Sequence, residues 1–157
     1  MSKSKIGLGF DVHRFDKNKR GLLLGGYKIS RARSLLAVSD GDVVLHAVCD
    51  ALCGAASLGD IGDYFPPDCP KSKGIKSLDI LKFVLAKIKK YNLINIDITI
   101  IAEKPKLSIH KPKIVASLRR ILKTKNVNVK VKSKEGLEIL GGKDAVTCLA
   151  AVLIEKV

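Results

Sequence analysis

An aspartate and two histidines in the first third of the chain have the types and spacing to bind a metal ion. Asp11 and His13 stand one residue apart, and His46 follows within a long apolar segment. Side chains alternate between the two faces of a strand, so Asp11 and His13 would point one way while Val12 turns into the core. One carboxylate and two imidazoles, with a fourth position open, are typical of catalytic zinc. An Asp-x-His pair also serves ordinary hydrogen bonding in strands, so the spacing alone leaves both interpretations open.

The surroundings of His46 leave a second choice open. The segment 39–58 is almost entirely Ala, Val, Leu, Cys and Gly, which predicts a helix buried on nearly all sides. A buried imidazole is costly unless it is paired or bound to a metal. Asp42 and Asp50 stand one turn on either side of His46. His46 is therefore either a core histidine held neutral by a carboxylate, or a metal ligand whose second nitrogen is oriented by an acidic residue.

Length and composition predict a single reduced domain. We expect the 157 residues to form one domain over 1–157. No run of about 18 apolar residues occurs, and the first residues lack the apolar stretch of a secretory signal. Cys49 and Cys53 are one helical turn apart without a matching pair, which favours small buried residues over a zinc motif. These features predict a cytoplasmic protein with no membrane span.

The charge of the chain has two possible meanings. Lys and Arg number 29 against 15 Asp and Glu, for a net charge of +14. Such an excess is compatible with nucleic acid or another polyanion as a partner. The lysines are spread along the chain, and aromatic residues make up only 4% with no Trp, so stacking platforms for single strands are few. We therefore favour a solvated basic surface, which remains compatible with a small ligand that carries phosphates.

The hydrophobic periodicity predicts strands interspersed with three helices. Strands are expected over 5–13, 94–101, 127–132 and 145–155, with a short hairpin turning on Gly25 and Gly26. Helices are expected over 39–58, 77–91 and 111–123, the first capped by Ser39 or Asp40 and the second by Ser77. The Pro-rich segment 63–75 is long enough to be a lid or a binding loop. The expected fold is α+β, a two-layer sandwich with a mixed four-stranded sheet plus a small hairpin packed on three helices.

Four segments taken together resemble one enzyme family. They read Gly-Phe-Asp-Val-His-Arg-Phe, Ser-Asp-Gly-Asp-Val-Val-Leu-His-Ala-Val-Cys-Asp-Ala-Leu, Leu-Gly-Asp-Ile-Gly and Asp-Ile-Thr-Ile-Ile-Ala-Glu-Lys-Pro-Lys. In this order they resemble the 2-C-methyl-D-erythritol 2,4-cyclodiphosphate synthases of the non-mevalonate isoprenoid pathway, and the resemblance covers essentially the whole chain.

The resemblance implies a lyase that performs a metal-assisted intramolecular phosphoryl transfer. The implied substrate is 4-diphosphocytidyl-2-C-methyl-D-erythritol 2-phosphate, whose 2-phosphate attacks the β-phosphorus and releases CMP. The implied cofactors are one Zn²⁺ per chain at Asp11, His13 and His46, and Mg²⁺ or Mn²⁺ bound with the substrate at Glu135. The implied assembly is a homotrimer with active sites at subunit boundaries, and neither nucleic acid nor membrane is an expected partner.

The resemblance also implies which residues contact the substrate. Asp60 and Gly62 would hold the methylerythritol part, and the segment 65–69 would be a mobile loop that closes over it. Ser133 would take the catalytic place of a threonine whose hydroxyl contacts the phosphates. The full set of implied substrate-binding residues is Asp11, His13, Ser39, Asp60, Gly62, Phe65, Asp68, Ala102, Pro105, Lys106, Leu107, Lys132, Lys134 and Glu135, of which Ala102, Pro105, Lys106 and Leu107 form a cytosine pocket.

Several positions depart from the family pattern. Val38 stands where the family commonly has a catalytic histidine beside the serine. Pro67 and Cys69 replace acidic residues of the loop, and the segment 136–143 is a degenerate form of its usual motif. Lys132 and Lys134 replace hydroxyl residues, and they are either solvated or supply extra charge for the phosphates. The metal set is intact, so the resemblance still implies an active enzyme.

Overall fold

A five-stranded sheet forms one layer of the fold in the computed structural model, which describes residues 3–157. The strand order is β2-β1-β5-β3-β4, and only β3 and β4 pair in parallel. The strands are β1 Ser4–Leu24, β2 Tyr27–Leu35, β3 Tyr91–Ile101, β4 Val127–Lys132 and β5 Ala145–Lys156.

The sheet has five strands rather than the four that we expected beside a separate hairpin. β1 extends past the predicted end at residue 13 to Leu24, and its second half pairs with β2. The hairpin turns on Gly25 and Gly26, which have φ of 61° and 76°, a region that favours glycine. The prediction of a turn at these glycines is confirmed, but the hairpin is continuous with the sheet through β1.

Three helices form the second layer, as the periodicity predicted. They are α1 Val43–Ala56, α2 Ser77–Lys87 and α3 Lys111–Leu122. The second helix ends before the predicted residue 91, because Tyr91 begins β3. Short 3₁₀ turns cover Ile61–Asp63, Pro70–Ser72 and Leu107–Ile109, and the segment Ile139–Asp144 is an irregular turn with positive φ at Leu140, Gly141 and Gly142. Within the described part of the chain, no helix has the length and apolar character needed to cross a membrane.

A buried carboxylate joins the start of α1 to the hairpin turn. The N-cap of α1 is Asp42, so the prediction that Ser39 or Asp40 caps this helix was wrong. The Asp42 side chain accepts four backbone N–H groups at 2.7–3.1 Å, from Gly25, Gly26, Val44 and Leu45. Burial raises the pKa of the Asp42 carboxyl, although the backbone hydrogen bonds oppose that shift. One side chain thus fixes the position of α1 relative to β1 and β2.

The thiols of the chain are free and mostly buried, as predicted for Cys49 and Cys53. These two and Cys148 lie in the interior, and Cys69 is partly exposed in the loop before α2. Burial raises the pKa of the Cys53 thiol to about 11. The buried thiols therefore act as small apolar side chains rather than as thiolate ligands.

Two glycines let β1 approach α1 closely. Gly7 and Gly9 are buried on the face of β1 that packs against the helix. A Cβ added to Gly9 would overlap the carbonyl oxygen of Ala47 and lie 2.7 Å from the backbone nitrogen of Ala51. Asp11 and His13 continue the same face, so the close approach carries both side chains to the helix that holds His46.

The opposite face of β1 is apolar and exposed. Val12 lies there with Ile6, Leu8 and Phe10, so the prediction that Val12 turns into the core was wrong. Ile6 is 74% exposed and Leu8 is 78% exposed, and Leu149 of β5 adds to the same surface. The alternation of side chains places the metal-binding types on the helix side and this apolar row on the other.

The close approach predicts that Gly9 cannot be replaced. Gly9→Ala should lower the free energy of unfolding by about 3 kcal/mol or more, because β1 and α1 must separate to admit the methyl group. The matched control is Gly54→Ala in α1, where an added Cβ meets only the Leu8 carbonyl oxygen at 3.9 Å. That substitution should stabilise the protein by about 0.5–1 kcal/mol through helix propensity. Chemical denaturation at one protein concentration measures both, and a Gly9→Ala protein as stable as the wild type would contradict this packing.

Candidate functional site

Three potential metal ligands converge between β1 and α1. Asp11 and His13 come from β1 and His46 from α1, and one ligand atom of each lies within 4.8 Å of the others. The Asp11 Oδ2 atom is 3.0 Å from His13 Nε2 and 3.1 Å from His46 Nδ1. The two imidazole rings meet edge to face with centroids 5.7 Å apart. The spacing of the sequence motif therefore produces one cluster, hereafter the Asp11–His13–His46 group.

The donors of this group fit a divalent metal ion. His13 Nε2 is buried and has no hydrogen-bond partner, although Asp11 Oδ2 lies 3.0 Å away. A buried polar atom without a partner is costly unless a ligand satisfies it. Asp11 accepts the backbone N–H of Val12 through Oδ1 at 2.9 Å, which leaves Oδ2 directed at the two imidazoles. Imidazole nitrogen with carboxylate oxygen is a ligand set that zinc and similar ions prefer.

The electrostatics of the group keep its carboxylate charged. Burial raises the pKa of Asp11, but the two neighbouring imidazoles outweigh that effect and hold the pKa at about 2. Burial lowers the pKa of His46, but the hydrogen bond and the charge of Asp11 outweigh it and leave a net rise. Asp11 is therefore ready to act as an anionic ligand at neutral pH, whereas a metal ion must compete with a proton on His46.

The second nitrogen of His46 is held by hydroxyl groups rather than by the acidic residues that we expected. Its Nε2 atom lies 3.2 Å from Ser39 Oγ and 3.0 Å from Ser77 Oγ. Ser77 in turn donates a hydrogen bond to the carboxylate of Asp40.

The two acidic residues proposed to orient His46 have other partners. Asp42 caps α1, and Asp50 accepts the backbone N–H of Ile61 at 2.9 Å. The prediction of a direct carboxylate contact at the second nitrogen was therefore wrong. Sequence reasoning missed Ser77 because a serine at the start of a helix has the signature of an N-cap. In the structure Lys76 occupies the N-cap position and no side chain caps the helix.

A mainly apolar cavity of about 160 Å³ adjoins the Asp11–His13–His46 group. Val38, Ser39 and Phe65 line it with both histidines of the group and with residues from the segments before α1, after α1 and around the start of α2. These other lining residues are His13, His46, Ala37, Ile61, Pro67, Ser72, Ile75 and Ile80. Asp60 directly precedes Ile61 and is exposed. Its carboxylate accepts the backbone N–H of Asp63 at 3.3 Å. Gly62 and Asp68 are also exposed. The loop 63–75 thus forms part of the wall of a cavity at the metal ligands.

A second cavity of about 360 Å³ gathers the residues predicted to bind cytosine. Its lining comprises Ala102, Glu103, Pro105, Lys106, Leu107, Ser108, Val131, Lys132 and Ser133. Ala102 donates its backbone N–H to the carbonyl oxygen of Lys132 at 3.0 Å, which joins the ends of β3 and β4. The carboxyl ends of two parallel strands thus bring together two sequence segments that are 30 residues apart.

Ser133 and Glu135 lie together beside this second cavity. Ser133 donates a hydrogen bond to the Glu135 carboxylate, and Glu135 has φ of 53°. Among residues 3–157, Glu135 is not part of the three-ligand group. Within one chain, the cavity at the three-ligand group and the cavity beside Ser133 have no lining residue in common.

Lys134 is neither solvated nor directed at a phosphate site, the two settings that the sequence left open. It is 2% exposed, and its ammonium donates to three backbone carbonyls at 2.7–3.1 Å, those of Leu140, Gly142 and Ala145. Burial lowers the pKa of Lys134. The segment 136–145 therefore engages this ammonium, which is not free to contact a phosphate, whereas Lys132 is exposed at the second cavity.

Comparison with known proteins identifies close relatives of the chain. The family model described as the YgbB family matches residues 4–155. A 2-C-methyl-D-erythritol 2,4-cyclodiphosphate synthase of Clostridium perfringens is 42% identical over 156 residues, which cover 97% of this chain and 99% of that protein.

Two solved structures are similar along the whole chain. The bifunctional IspDF of Campylobacter jejuni matches with a TM-score of 0.92 and 37% identity, over 100% of this chain and 43% of that longer one. The CDP complex of IspF from Plasmodium falciparum matches with a TM-score of 0.81 and 32% identity, over 99% of this chain and 98% of that one.

The contact between Asp11 and His46 predicts how His46 titrates. In metal-free protein its pKa should exceed 6.5, and in Asp11→Asn it should fall, because burial then acts with less opposition. The stabilisation from this pair is present where Asp11 is ionised and His46 carries its proton, and it is lost both as the pH falls through the Asp11 pKa of about 2 and as the pH rises through the raised pKa of His46. Histidine NMR titration of the wild type and of Asp11→Asn measures the shift. A His46 pKa that is unchanged by Asp11→Asn would contradict the contact.

Proposed function

We propose that this chain, which belongs to the YgbB family, is a 2-C-methyl-D-erythritol 2,4-cyclodiphosphate synthase, a lyase of isoprenoid biosynthesis. The family match confirms the resemblance that the sequence motifs indicated. The observation that carries the proposal is the convergence of Asp11, His13 and His46 beside a cavity. A basic nucleic-acid module would explain the charge of +14 but not this buried ligand set.

The reaction is the cyclisation of 4-diphosphocytidyl-2-C-methyl-D-erythritol 2-phosphate with release of CMP. The 2-phosphate oxygen forms a bond to the β-phosphorus, and the bond from that phosphorus to the CMP oxygen breaks. The attacking group belongs to the substrate, so the protein need supply no covalent nucleophile. The chain contributes by holding a flexible substrate in a folded shape and by placing donors at its phosphates.

Zinc is the ion that we assign to the Asp11–His13–His46 group, because two imidazoles and one carboxylate leave a fourth position open. When bound, zinc supplies a Lewis acid at a phosphate oxygen. Glu135 is the residue that would hold Mg²⁺ or Mn²⁺ together with the substrate. In the free protein its carboxylate accepts a hydrogen bond from the Ser133 hydroxyl. The Ser133 hydroxyl can donate to a phosphate once that hydrogen bond is exchanged.

The two cavities divide the recognition of the substrate. The cavity at Ala102, Pro105, Lys106 and Leu107 is assigned to cytosine, since main-chain N–H and C=O groups can read a pyrimidine edge. The CDP complex of the Plasmodium falciparum relative supports a cytidine ligand. The methylerythritol part is assigned to the apolar cavity, with Asp60, Gly62 and the loop residues Phe65 and Asp68 around it.

A homotrimer would bring the two halves of the site together. The apolar row Ile6, Leu8, Phe10 and Val12 is exposed in one chain, as is Leu149 beside it. An exposed apolar face of this kind favours burial against further copies. With active sites at subunit boundaries, the metal group of one chain faces the cytosine cavity of its neighbour. We place this enzyme in the cytoplasm, where its four free cysteines stay reduced.

Val38 makes the wall beside the metal group apolar where the family commonly has a histidine. It lines the cavity next to Ser39 and His46 and donates nothing to a phosphate. Losing one donor typically costs a few kcal/mol of activation free energy, which slows a reaction without abolishing it. Residue 38 is not one of the three candidate ligands, so we assign activity to this chain despite the change.

Removal of one metal ligand should abolish both binding and turnover. The purified protein should carry about one zinc per chain, and His46→Ala should lose the zinc and the activity while it remains folded. His110→Ala is the control, because His110 contacts Tyr27 and lies outside the group. Metal analysis, circular dichroism and phosphorus NMR of the diphosphocytidyl substrate give the three readouts. Full turnover by metal-free wild type would overturn the assignment.

Shared sites predict complementation between two inactive proteins. His46→Ala leaves the cytosine side intact, and Glu135→Ala leaves the Asp11–His13–His46 group intact. In random mixed trimers, one site of each mixed trimer would be complete, so about a quarter of wild-type turnover per chain should return. Native mass spectrometry verifies the mixing. Mixed trimers without activity would contradict sites at subunit boundaries, and an active Glu135→Ala protein would remove Glu135 from the site.

A further inference from the structure

A buried serine hydroxyl lies between His46 and a carboxylate from another segment. Ser77 is the first residue of α2 and is 0% exposed. Its Oγ atom lies 3.0 Å from His46 Nε2 and donates a hydrogen bond to Asp40 Oδ1. Since no side chain caps α2, this hydroxyl is used for the contact with His46 instead of for the helix.

The direction of these hydrogen bonds fixes the proton on His46. A serine hydroxyl has one proton to donate, and Ser77 donates it to the Asp40 carboxylate, which can only accept. Toward His46, therefore, Ser77 can act only as an acceptor, and Nε2 must carry a proton. In the metal-free protein Nδ1 donates to the Asp11 carboxylate at 3.1 Å, so with Nε2 protonated it is Nδ1 that gives up its proton when a metal ion binds inside the three-ligand group.

Ser39 is the other neighbour of His46 Nε2, and it is less constrained. Its Oγ atom is 3.2 Å from Nε2 and accepts the backbone N–H of Gly41 at 3.1 Å. Among these contacts its hydroxyl proton is not used, so Ser39 could either donate to Nε2 or accept from it. Of the two hydroxyls, only Ser77 has its direction determined by a carboxylate.

Backbone hydrogen bonds hold Ser77 and Asp40 in place. Gly74 donates its N–H to the carbonyl of Val38 at 2.8 Å, and Asp40 donates its N–H to the carbonyl of Ile75 at 3.1 Å. These two bonds join the segment before α1 to the end of the loop before α2. These backbone hydrogen bonds therefore keep the Ser77 hydroxyl close to the Asp40 carboxylate.

We propose that Ser77, with Asp40 behind it, is a positioning residue that presents Nδ1 of His46 to the metal ion. The inference rests on the metal site proposed above. A partner at the second nitrogen of a metal-bound imidazole sets its tautomer and ring orientation, and the loss of such a partner typically weakens metal binding 10- to 100-fold. Here the orienting group is the Ser77 hydroxyl, which can only accept from His46 because it donates its own proton to the Asp40 carboxylate.

Zinc affinity tests the proposal without reliance on turnover. Metal-free proteins are titrated with zinc in competition with a chromophoric chelator. Ser77→Ala should bind zinc about 10- to 100-fold more weakly than wild type, and Ser77→Thr, which keeps the hydroxyl, should recover most of that loss. Ser117→Ala is the matched control, because Ser117 is a buried serine whose hydroxyl lacks a partner, and its zinc affinity should not change.

A second variant and a spectroscopic readout cover the case in which Ser77→Ala folds poorly. Asp40→Asn keeps an acceptor oxygen but lowers its charge, so it should weaken zinc binding less than Ser77→Ala does. Long-range ¹H–¹⁵N NMR of the zinc-loaded wild type should show a protonated Nε2 on His46. Wild-type zinc affinity in both Ser77→Ala and Asp40→Asn, or zinc bound to Nε2, would overturn the inference alone. A wild type that binds no zinc would overturn the metal site as well.

Discussion

The close packing of β1 against α1 determines where the three candidate ligands meet. Gly7 and Gly9 remove the side chains that would separate strand and helix, and the next two residues on the same face are Asp11 and His13. A metal site needs its donors placed to within a fraction of an ångström, so this distance cannot vary freely. The buried Asp42 carboxylate adds a second tie, since it joins the helix start to the hairpin turn. The fold thus builds the ligand geometry before any ion binds.

The side chains of β1 alternate between two faces of the sheet, and each face has a different role. The helix-facing residues carry the candidate ligands, and the outward residues Ile6 and Leu8 form an exposed apolar row. Under the proposed trimer, that row would hold neighbouring chains while the ligands face the cavity. Assembly and chemistry would then depend on one register, because a shift of one residue would exchange the two faces.

Sequence reasoning predicted those features that periodicity and motif spacing determine. The three helices and the convergence of Asp11, His13 and His46 follow from alternation, apolar patterning and the family motifs. The partners of the buried polar groups could not be predicted in the same way. Ser77 has the signature of a helix cap yet contacts His46, and Lys134 is a basic residue that the sequence left either solvated or near a phosphate, yet it contacts backbone carbonyls. Such contacts depend on which segments meet in three dimensions, and local sequence carries little signal of that.

X-ray absorption at the zinc edge of the purified protein distinguishes a site built by Asp11, His13 and His46 from a cysteine site, because it reports the atoms around the ion. We expect the ion to be surrounded by light atoms only, which are two imidazole nitrogens, a carboxylate oxygen and one further nitrogen or oxygen, with no sulfur. A sulfur scatterer would assign the ion to cysteines such as Cys49 or Cys53. That result would contradict a metal centre built by Asp11, His13 and His46.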